Sequence, residues 1–301
     1  MLILTVNTQI PIRLDRYLKN LYPALTQGLL QKALRLGQIK VNDKKSAANF
    51  RLVDLDIISI HNDKLKLQDN RSSIKSFSVS VITLADKILH DYLIYSDEEF
   101  IAINKPAGLA TQGGSKINFS INDALCYLNQ NTYDLRLVHR LDKETSGILL
   151  IAKNYLASIK LTKAFQEKKI QKTYLAITFG CPNKTSGEIS GLIGKNKNGA
   201  FELVQDDLIN GKMAITQYKL LKTIGKCSLI EFKPLTGRTH QIRFHAQSLN
   251  CPIVGDSKYG SLESKSFSKN MLLHASNVIL SCEIFGKLIK IDAKLPYYFI
   301  N

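Results

Sequence analysis

One carboxylate in the sequence stands among cationic side chains. Asp142 follows His139-Arg140-Leu141 and precedes Lys143, so charged or ionisable basic groups flank it along the chain. Such neighbours favour the charged form of a carboxylate. The segment ends in Thr145-Ser146-Gly147, residues typical of turns, and runs into the apolar stretch from Ile148 to Ala152. We therefore predict that Asp142 lies in a loop that leads into a short buried strand.

A charged carboxylate on a rigid loop can serve as a nucleophile or as a general base. A plain structural role fits the same residues, with Asp142 pairing with Arg140 or capping the Thr145-Ser146 turn. The segments that accompany this loop along the chain decide between the two roles.

The charge balance favours a polyanionic partner. The 301 residues include 41 Lys and Arg against 25 Asp and Glu, which gives a net charge of +16 and a pI near 9.5. A cationic surface gains affinity for nucleic acid by releasing counterions. A merely solvated basic surface and attraction to anionic lipid are the alternatives. Hydrophobic residues at 45% and charged residues at 22% are ordinary globular values, which excludes a disordered or fibrous chain.

Membrane insertion and metal binding have no support in the sequence. The apolar run from Ile148 to Ala152 is far shorter than the roughly 20 residues of a transmembrane helix. Polar residues interrupt Met1 to Pro11, so we expect no signal peptide. The five cysteines are widely spaced without a Cys-x-x-Cys pair, which predicts reduced thiols in a cytoplasmic protein and no metal site. They are Cys126, Cys181, Cys227, Cys251 and Cys282.

The N-terminal segment has the pattern of a small domain of helices and strands. Apolar residues at helical spacing from Leu14 to Leu21 predict one helix. Thr26 is a suitable N-cap for a second helix, and Gly37 is a suitable stop at its C-terminus. Two strands and an intervening turn follow, at residues 39–42, 57–60 and 44–45 respectively.

The Arg-Leu-Asp sequence at 13–15 and the Val-Asn pair at 41–42 accompany this order of elements. Together they resemble the RNA-binding domain of ribosomal protein S-four, the alpha-L module. The resemblance implies that residues 1–61 bind RNA. Nine Lys or Arg against four Asp or Glu through residue 60 agree with phosphate contact. Lys32 and Arg35 share a face of the second helix and are the candidate RNA contacts.

The remainder of the chain is predicted to be a linker and a larger domain. Residues 62–84 are rich in Ser and other polar residues, which indicates a linker. Strand-like runs prevail from 85 to 301, and the clearest helix is Tyr155 to Lys168, capped by Asn154. Strands without regular helical alternation predict an α+β fold with a mixed, largely antiparallel sheet. The runs are 93–95, 100–103, 147–152, 174–179, 215–221 and 228–232.

Four segments of this larger domain resemble the RluA-type pseudouridine synthases, and they occur in the order found in that family. They are Asn104–Gly108, His139–Gly147, Gln171–Ala176 and Leu235–His245. The resemblance implies a pseudouridine synthase catalytic domain that isomerises uridine in RNA without a cofactor.

The same resemblance assigns roles to three residues. Asp142 would be the essential catalytic residue, acting at ribose C1′ or C2′. Tyr174 would stack near the flipped uracil and act in proton transfer. Arg243 would pair with the catalytic aspartate, which strengthens the catalytic reading of the Asp142 loop over the structural one.

Four further residues are candidate RNA contacts. His139 and Arg140 lie beside the aspartate and could contribute to the flipped geometry. Arg238 and His240 lie at the Gly237 turn before a helix, where a phosphate can bind.

Finer features favour the RluC-like branch, and the RluD-like branch shares every catalytic motif. Gln112 to Ser115 after the Pro and Gly turn and Gln171-Lys172 before Tyr174 carry this preference. The implied partner is large-subunit (23S) ribosomal RNA or a pre-ribosomal particle. The alternatives are a transfer RNA pseudouridine synthase and a non-catalytic RNA-binding factor in ribosome assembly.

A glycosidase is a further rival because it also uses carboxylates against a sugar carbon. It needs two carboxylates a few ångströms apart, and Glu144 is the near neighbour of Asp142 in the sequence. The positive net charge fits RNA better than a neutral glycan. We expect a monomer, since the sequence has no heptad run or large repeat.

Overall fold

The computed structural model describes residues 1–8, 11–22, 25–61, 77–114, 117–130, 133–195, 201–204 and 211–299. The chain divides into two compact units, Met1–Ser76 and Phe77–Asn301. Most of the predicted linker, residues 62–76, lies outside the described residues. Among the helices that the structure describes, none has the length and apolar character needed to cross a membrane.

The smaller unit combines two helices with short antiparallel strands. Over its described residues the strand order in the main sheet is β1-β6-β3-β4, and β2 pairs with β5. Both helices bury their apolar faces against this sheet in one core that includes Leu14, Leu18, Leu30 and Ile58. The elements are β1 Leu2–Thr5, β2 Ile12–Arg13, α1 Leu14–Leu21, α2 Gln27–Arg35, β3 Ile39–Val41, β4 Lys44–Lys45, β5 Arg51–Leu52 and β6 Ile57–Ile60.

The predicted helices of this unit are confirmed, and the predicted turn is displaced. Thr26 caps α2, since its Oγ1 accepts a hydrogen bond from the backbone N–H of Leu29 at 3.3 Å. The prediction of a turn at Lys44-Lys45 was wrong, because these residues form β4 opposite β3. The turn lies at Asn42 and Asp43, with φ of 48° and 60°. Asn and Asp tolerate this left-handed conformation, which tight hairpins require at both central positions.

The larger unit is built on one mixed sheet with helices against its faces, which confirms the predicted α+β class. Its elements follow in chain order. They are α3 Val79–Leu89, β7 Leu93–Ser96, β8 Phe100–Lys105, α4 Ile121–Asn129, β9 Arg136–Leu137, β10 Ser146–Ala152, α5 Tyr155–Gln166, β11 Ile170–Phe179, β12 Ser186–Lys195, β13 Phe201–Val204, β14 Lys212–Ile224, β15 Cys227–Pro234, α6 Gln241–Ser248, α7 Leu262–Phe267, β16 Leu273–Leu280, α8 Cys282–Phe285, β17 Ile289–Asp292 and the 3-10 helix Tyr297–Phe299.

The structure differs from the sequence prediction where the larger unit begins. Helix α3 covers the end of the predicted linker, which ran from 62 to 84. Val81, Leu84, Ala85 and Ile88 are buried at helical spacing in the same core as α4, so packing makes this segment a helix despite its polar start.

Within the described residues, the long path of this sheet runs β13-β12-β14-β15-β11-β16-β10-β8-β7, and β17 and β9 pair at its sides. Strand β10 pairs in parallel with β16, whereas the other pairs in the described sheet are antiparallel. Ala275 on β16 is aligned with Gly147 on β10 and also with Tyr174 on β11. The strand that follows the Asp142 loop and the strand that carries Tyr174 therefore flank the same residue of β16.

The contact between β10 and β16 requires a glycine. Gly147 has φ of +107°, and a Cβ at this position would overlap the backbone of Ala275. No L-side chain adopts that backbone conformation without strain. The residues directly after the Asp142 loop are thus held by close backbone packing.

We predict that Gly147→Ala lowers the free energy of unfolding of the larger unit by roughly 3 kcal/mol or more, from backbone strain and overpacking together. Guanidinium denaturation of the full chain measures the change. Gly113→Ala is the control, because a Cβ there meets nothing within 4 Å and φ is not positive. Equal midpoints for the two variants would contradict the prediction.

Candidate active site

The Asp142 loop connects β9 to β10, and backbone contacts fix it on both sides of the aspartate. The Thr111 hydroxyl donates to the Leu141 carbonyl at 2.8 Å and accepts from the Leu141 N–H at 3.2 Å. On the other side, the Gly108 N–H donates to the Lys143 carbonyl at 2.9 Å. The carboxylate itself remains accessible, with 23% of its side chain exposed.

Lys105, the last residue of β8, connects that strand to the Asp142 loop. Its side chain is fully buried, and Nζ donates to the carbonyls of Pro106 at 2.9 Å, Leu109 at 2.9 Å and Lys143 at 3.1 Å. Three carbonyls match the three N–H groups of an ammonium. Burial lowers the pKa of Lys105 to about 7, while the charges of Glu144 and Asp142 oppose that shift.

Arg243 projects from α6 toward Asp142 and is fixed by a second carboxylate. Its Nε and Nη2 donate to Asp256 Oδ2 and Oδ1, each at 2.7 Å, and its Nη1 lies 3.5 Å from Asp142 Oδ2. The guanidinium also lies over the ring of Tyr259, 4.8 Å from its centroid. A bidentate pair fixes the plane of a guanidinium, so the nitrogen that remains is aimed at Asp142.

Asp256 is itself fully bound. Its side chain is 1% exposed, and Oδ1 accepts the backbone N–H groups of Lys258 and Tyr259, both at 2.9 Å. Burial acts to raise the pKa of Asp256, but its hydrogen bonds with Arg243 and the backbone outweigh burial and lower it. Burial likewise opposes a raised pKa for Arg243, and Asp256 prevails there too. Each member of the pair thus favours the charged form of the other.

His240 lies close to the Asp142 carboxylate. It precedes α6 with φ of 58°, a left-handed conformation in which His is enriched. Its Nδ1 is 2.7 Å from the Tyr259 hydroxyl, and its Nε2 is 3.8 Å from Asp142 Oδ2. Burial lowers the pKa of His240, against the charge of Asp142, so the neutral imidazole is favoured at neutral pH.

Tyr174 lies on β11, near enough to Asp142 for the charge of that carboxylate to act on its phenol. It packs against the core beneath the Asp142 loop and against the core beneath α6. Burial raises the pKa of the Tyr174 phenol well above its ordinary value, and the charge of Asp142 raises it further. The side chain therefore retains its proton across the working pH range.

Among the predicted RNA contacts, His139 is held by contacts inside the protein. The His139 ring packs on Phe165 with centroids 4.5 Å apart, and its Nε2 accepts the Leu150 N–H at 2.8 Å. Burial lowers the pKa of His139 to about 3. These contacts favour a structural role for His139 in place of the predicted RNA contact.

Four predicted RNA contacts have surface positions. Arg140 is exposed within the Asp142 loop. Arg238 is exposed at the turn before α6, where its Nε donates to the Met213 carbonyl at 3.0 Å. Lys32 and Arg35 are exposed on α2 of the smaller unit.

Sequence reasoning missed Asp256, Tyr259 and Thr111, and it included Lys105 only as a member of the Asn104–Gly108 segment. A weak signal existed for Asp256, since Gly255 and Gly260 bound a short polar loop around it. Nothing in the sequence linked that loop to Arg243.

The arrangement places the partly exposed carboxylate of Asp142 beside a fixed guanidinium, which suits a nucleophile or a general base. Asp256 does not supply a second acid, because both of its oxygens are bound to Arg243. Over the described residues, no group of three or more His, Cys, Asp or Glu is placed to hold a metal ion. Asp256 therefore cannot serve as the second carboxylate that a glycosidase needs.

Comparison with known proteins shows which protein family the chain belongs to. A family model described as RNA pseudouridylate synthase matches residues 99–248. The chain is also 57% identical over 299 residues to ribosomal large subunit pseudouridine synthase C of Rickettsia typhi, which covers 99% of this chain and 98% of that protein. The chain belongs to the RluA family of RNA pseudouridylate synthases and is an RNA pseudouridine synthase.

More distant relatives agree. The protein of the same description from Vibrio cholerae is 31% identical over 288 residues, covering 94% of this chain and 89% of that one. Among solved structures, human RNA pseudouridylate synthase domain containing 4 aligns with a TM-score of 0.62 and 28% identity, over 73% of this chain and 94% of that one. Human RNA pseudouridylate synthase domain containing 1 aligns with a TM-score of 0.59 and 26% identity, over 68% and 84%.

We predict that Lys105→Met lowers both stability and turnover. The Pro106 and Leu109 carbonyls would lose a charged donor inside the protein, which costs roughly 2 kcal/mol or more. A loosened Asp142 loop should lower the single-turnover rate constant by about tenfold or more, because misplacing a catalytic group slows the chemical step.

Urea denaturation and single-turnover kinetics measure the two effects. Lys219→Met is the matched control, because it removes an exposed lysine from β14. The prediction fails if Lys105→Met and Lys219→Met have the same stability and the same rate.

Proposed function

We propose that this enzyme converts specific uridines of large-subunit ribosomal RNA into pseudouridine, with Asp142 as the catalytic residue. The carrying observation is that Arg243, fixed by Asp256, directs one nitrogen at the accessible carboxylate of Asp142. The names of the relatives from Rickettsia and Vibrio support ribosomal RNA as the substrate and the RluC-like branch as the closer comparison.

The reaction is an isomerisation that needs no cofactor. The bond from uracil N1 to ribose C1′ breaks, the base turns, and C5 bonds to C1′ in place of N1. Asp142 either attacks C1′ and forms a transient ester, or removes the C2′ proton and leaves a glycal. When C5 bonds to C1′, the first route breaks the ester and frees the Asp142 carboxylate, and the second route returns the proton to C2′. In both routes the C5 proton is finally lost and N1 gains one, so atoms and charge balance.

Tyr174 and Arg243 complete the proposed machinery. Arg243 orients the Asp142 carboxylate and offsets its charge. Tyr174 contacts the uracil base. Because its phenol stays protonated, it can accept the C5 proton only if it donates its own phenol proton at the same time. Neutral His240, with Nε2 3.8 Å from Asp142 Oδ2, contributes a polar contact at the ribose or phosphate side.

Binding requires that the target uridine leave its stack. Unpaired or looped RNA makes this cheaper, and exposed basic groups hold the neighbouring phosphates. We assign this role to Arg140 and Arg238 near the site. We also assign residues 1–61 as an alpha-L RNA-binding domain, with Lys32 and Arg35 as its phosphate contacts, and the unit Phe77–Asn301 as the catalytic domain.

Tritium release from uracil C5 tests the function. Wild-type protein and Asp142→Asn are incubated with unmodified large-subunit ribosomal RNA and, separately, with transfer RNA, both labelled at C5. We expect release from the ribosomal RNA with wild type and none with Asp142→Asn, while filter binding shows that both proteins hold the RNA. The variant removes the reacting oxygen charge without changing side-chain size.

Asp91→Asn is the matched control, since Asp91 is an exposed carboxylate of the same unit, and it should react like wild type. Tritium release from transfer RNA alone would show that the enzyme acts on transfer RNA and not on ribosomal RNA. Binding without release from either RNA would favour an RNA-binding factor without this activity.

A further inference from the structure

A cleft of about 660 Å³ opens in the larger unit beside the Asp142 loop. Helix α3 forms one wall through Thr83, Leu84 and Lys87. The turn from 106 to 110 and the segment from 117 to 119 form the others. We call this space the α3 cleft. The proposed reaction chemistry uses none of the α3 residues.

The lining has the chemistry of a nucleotide site. The apolar residues Leu84 and Leu109 and the aromatic residues Tyr92 and Phe119 line the space. Lys87 and Lys143 add two cationic groups, and no Asp or Glu is among the residues that line it. Apolar and aromatic surface suits the face of a base, and lysines suit its phosphate.

The wall of the cleft is tied to the catalytic loop. Gly108 lines the cleft, and its N–H donates to the carbonyl of Lys143, which directly follows Asp142. Lys105 Nζ binds both the Leu109 carbonyl of the cleft wall and that same Lys143 carbonyl. An occupant of the cleft would therefore lie next to whatever occupies the Asp142 site.

We propose that the α3 cleft binds an unpaired nucleotide of the RNA substrate, close in sequence to the target uridine. Its base lies against the apolar and aromatic lining, and its phosphate lies near Lys87 and Lys143. This inference rests on the proposed function, since it takes RNA as the molecule in the Asp142 site. The positive lining and the protein's net charge of +16 favour RNA over an acidic or neutral partner.

Filling the cleft tests the inference. Thr83 is exposed and lines the cleft, so Thr83→Trp puts a bulky ring into the space while leaving Asp142, Tyr174 and Arg243 unchanged. Ile82→Trp is the matched control, because Ile82 is the exposed neighbour on α3 that does not line the cleft.

We expect Thr83→Trp to raise KM for a large-subunit ribosomal RNA fragment about tenfold, the effect of losing one stacked base. The value of kcat at saturating RNA should stay within about twofold of wild type, since a change confined to binding leaves kcat unaltered. A KM for Thr83→Trp equal to that of Ile82→Trp would overturn the inference.

The phosphate contact has its own test in the salt dependence of RNA binding. Lys87→Ala and Lys265→Ala each remove an exposed lysine from the last turn of a helix, α3 and α7 respectively. For RNA binding, the slope of the logarithm of the association constant against the logarithm of the salt concentration is negative. We expect its magnitude to decrease by about 0.7 in Lys87→Ala, the value for one phosphate contact to single-stranded RNA. Lys265→Ala should keep the wild-type slope.

The two assays separate this inference from the proposed function. Binding and its salt slope are measured without turnover, so they report on the cleft even if tritium release fails. If wild type is active and either Thr83→Trp or Lys87→Ala behaves like its control, the inference is overturned and the proposed function stands.

Discussion

The guanidinium of Arg243 divides its hydrogen bonds between two carboxylates, and the geometry of the site depends on that division. Burying a charged pair is costly unless nearly every donor and acceptor is satisfied. Here Asp256 accepts two hydrogen bonds from Arg243 and two from the backbone of its own loop. The Arg243–Asp256 pair is therefore held in one orientation, and this orientation directs Arg243 Nη1 at Asp142.

The sheet supplies the second half of the arrangement. Gly147 and Tyr174 both face Ala275 across neighbouring strands, so the Asp142 loop and the tyrosine are brought together by strand order. Lys105 then binds the loop to the end of β8 through three carbonyls. The strands thus hold the Asp142 loop, and Arg243 of α6 contacts the Asp142 carboxylate.

Local patterns in the sequence were enough to place several elements. The turn residues and apolar run around Asp142 predicted a loop before a buried strand, and Thr26 and Asn154 marked helix starts that the structure confirms. Such signals are local in the chain. The resemblance to a known family added Tyr174 and Arg243 as candidate site residues.

The remaining features depend on contacts between distant residues. Asp142 and Arg243 are 101 residues apart in sequence, and the partner of Arg243 lies in a further loop at Asp256. The inward position of His139 depends on Phe165 of α5, which sequence spacing does not reveal. The Lys44-Lys45 strand was missed because the φ angles of Asn42 and Asp43 decide where that hairpin turns.

The most direct test of the central claim is a double-mutant cycle on Arg243 and Asp256. Single-turnover rate constants on ribosomal RNA are measured for wild type, Arg243→Lys, Asp256→Asn and the double variant, with folding checked by denaturation. If Asp256 acts through Arg243, each single variant is slow and the double variant is no slower than Arg243→Lys alone. Losses that multiply in the double variant would show that the two residues act independently and would contradict this account.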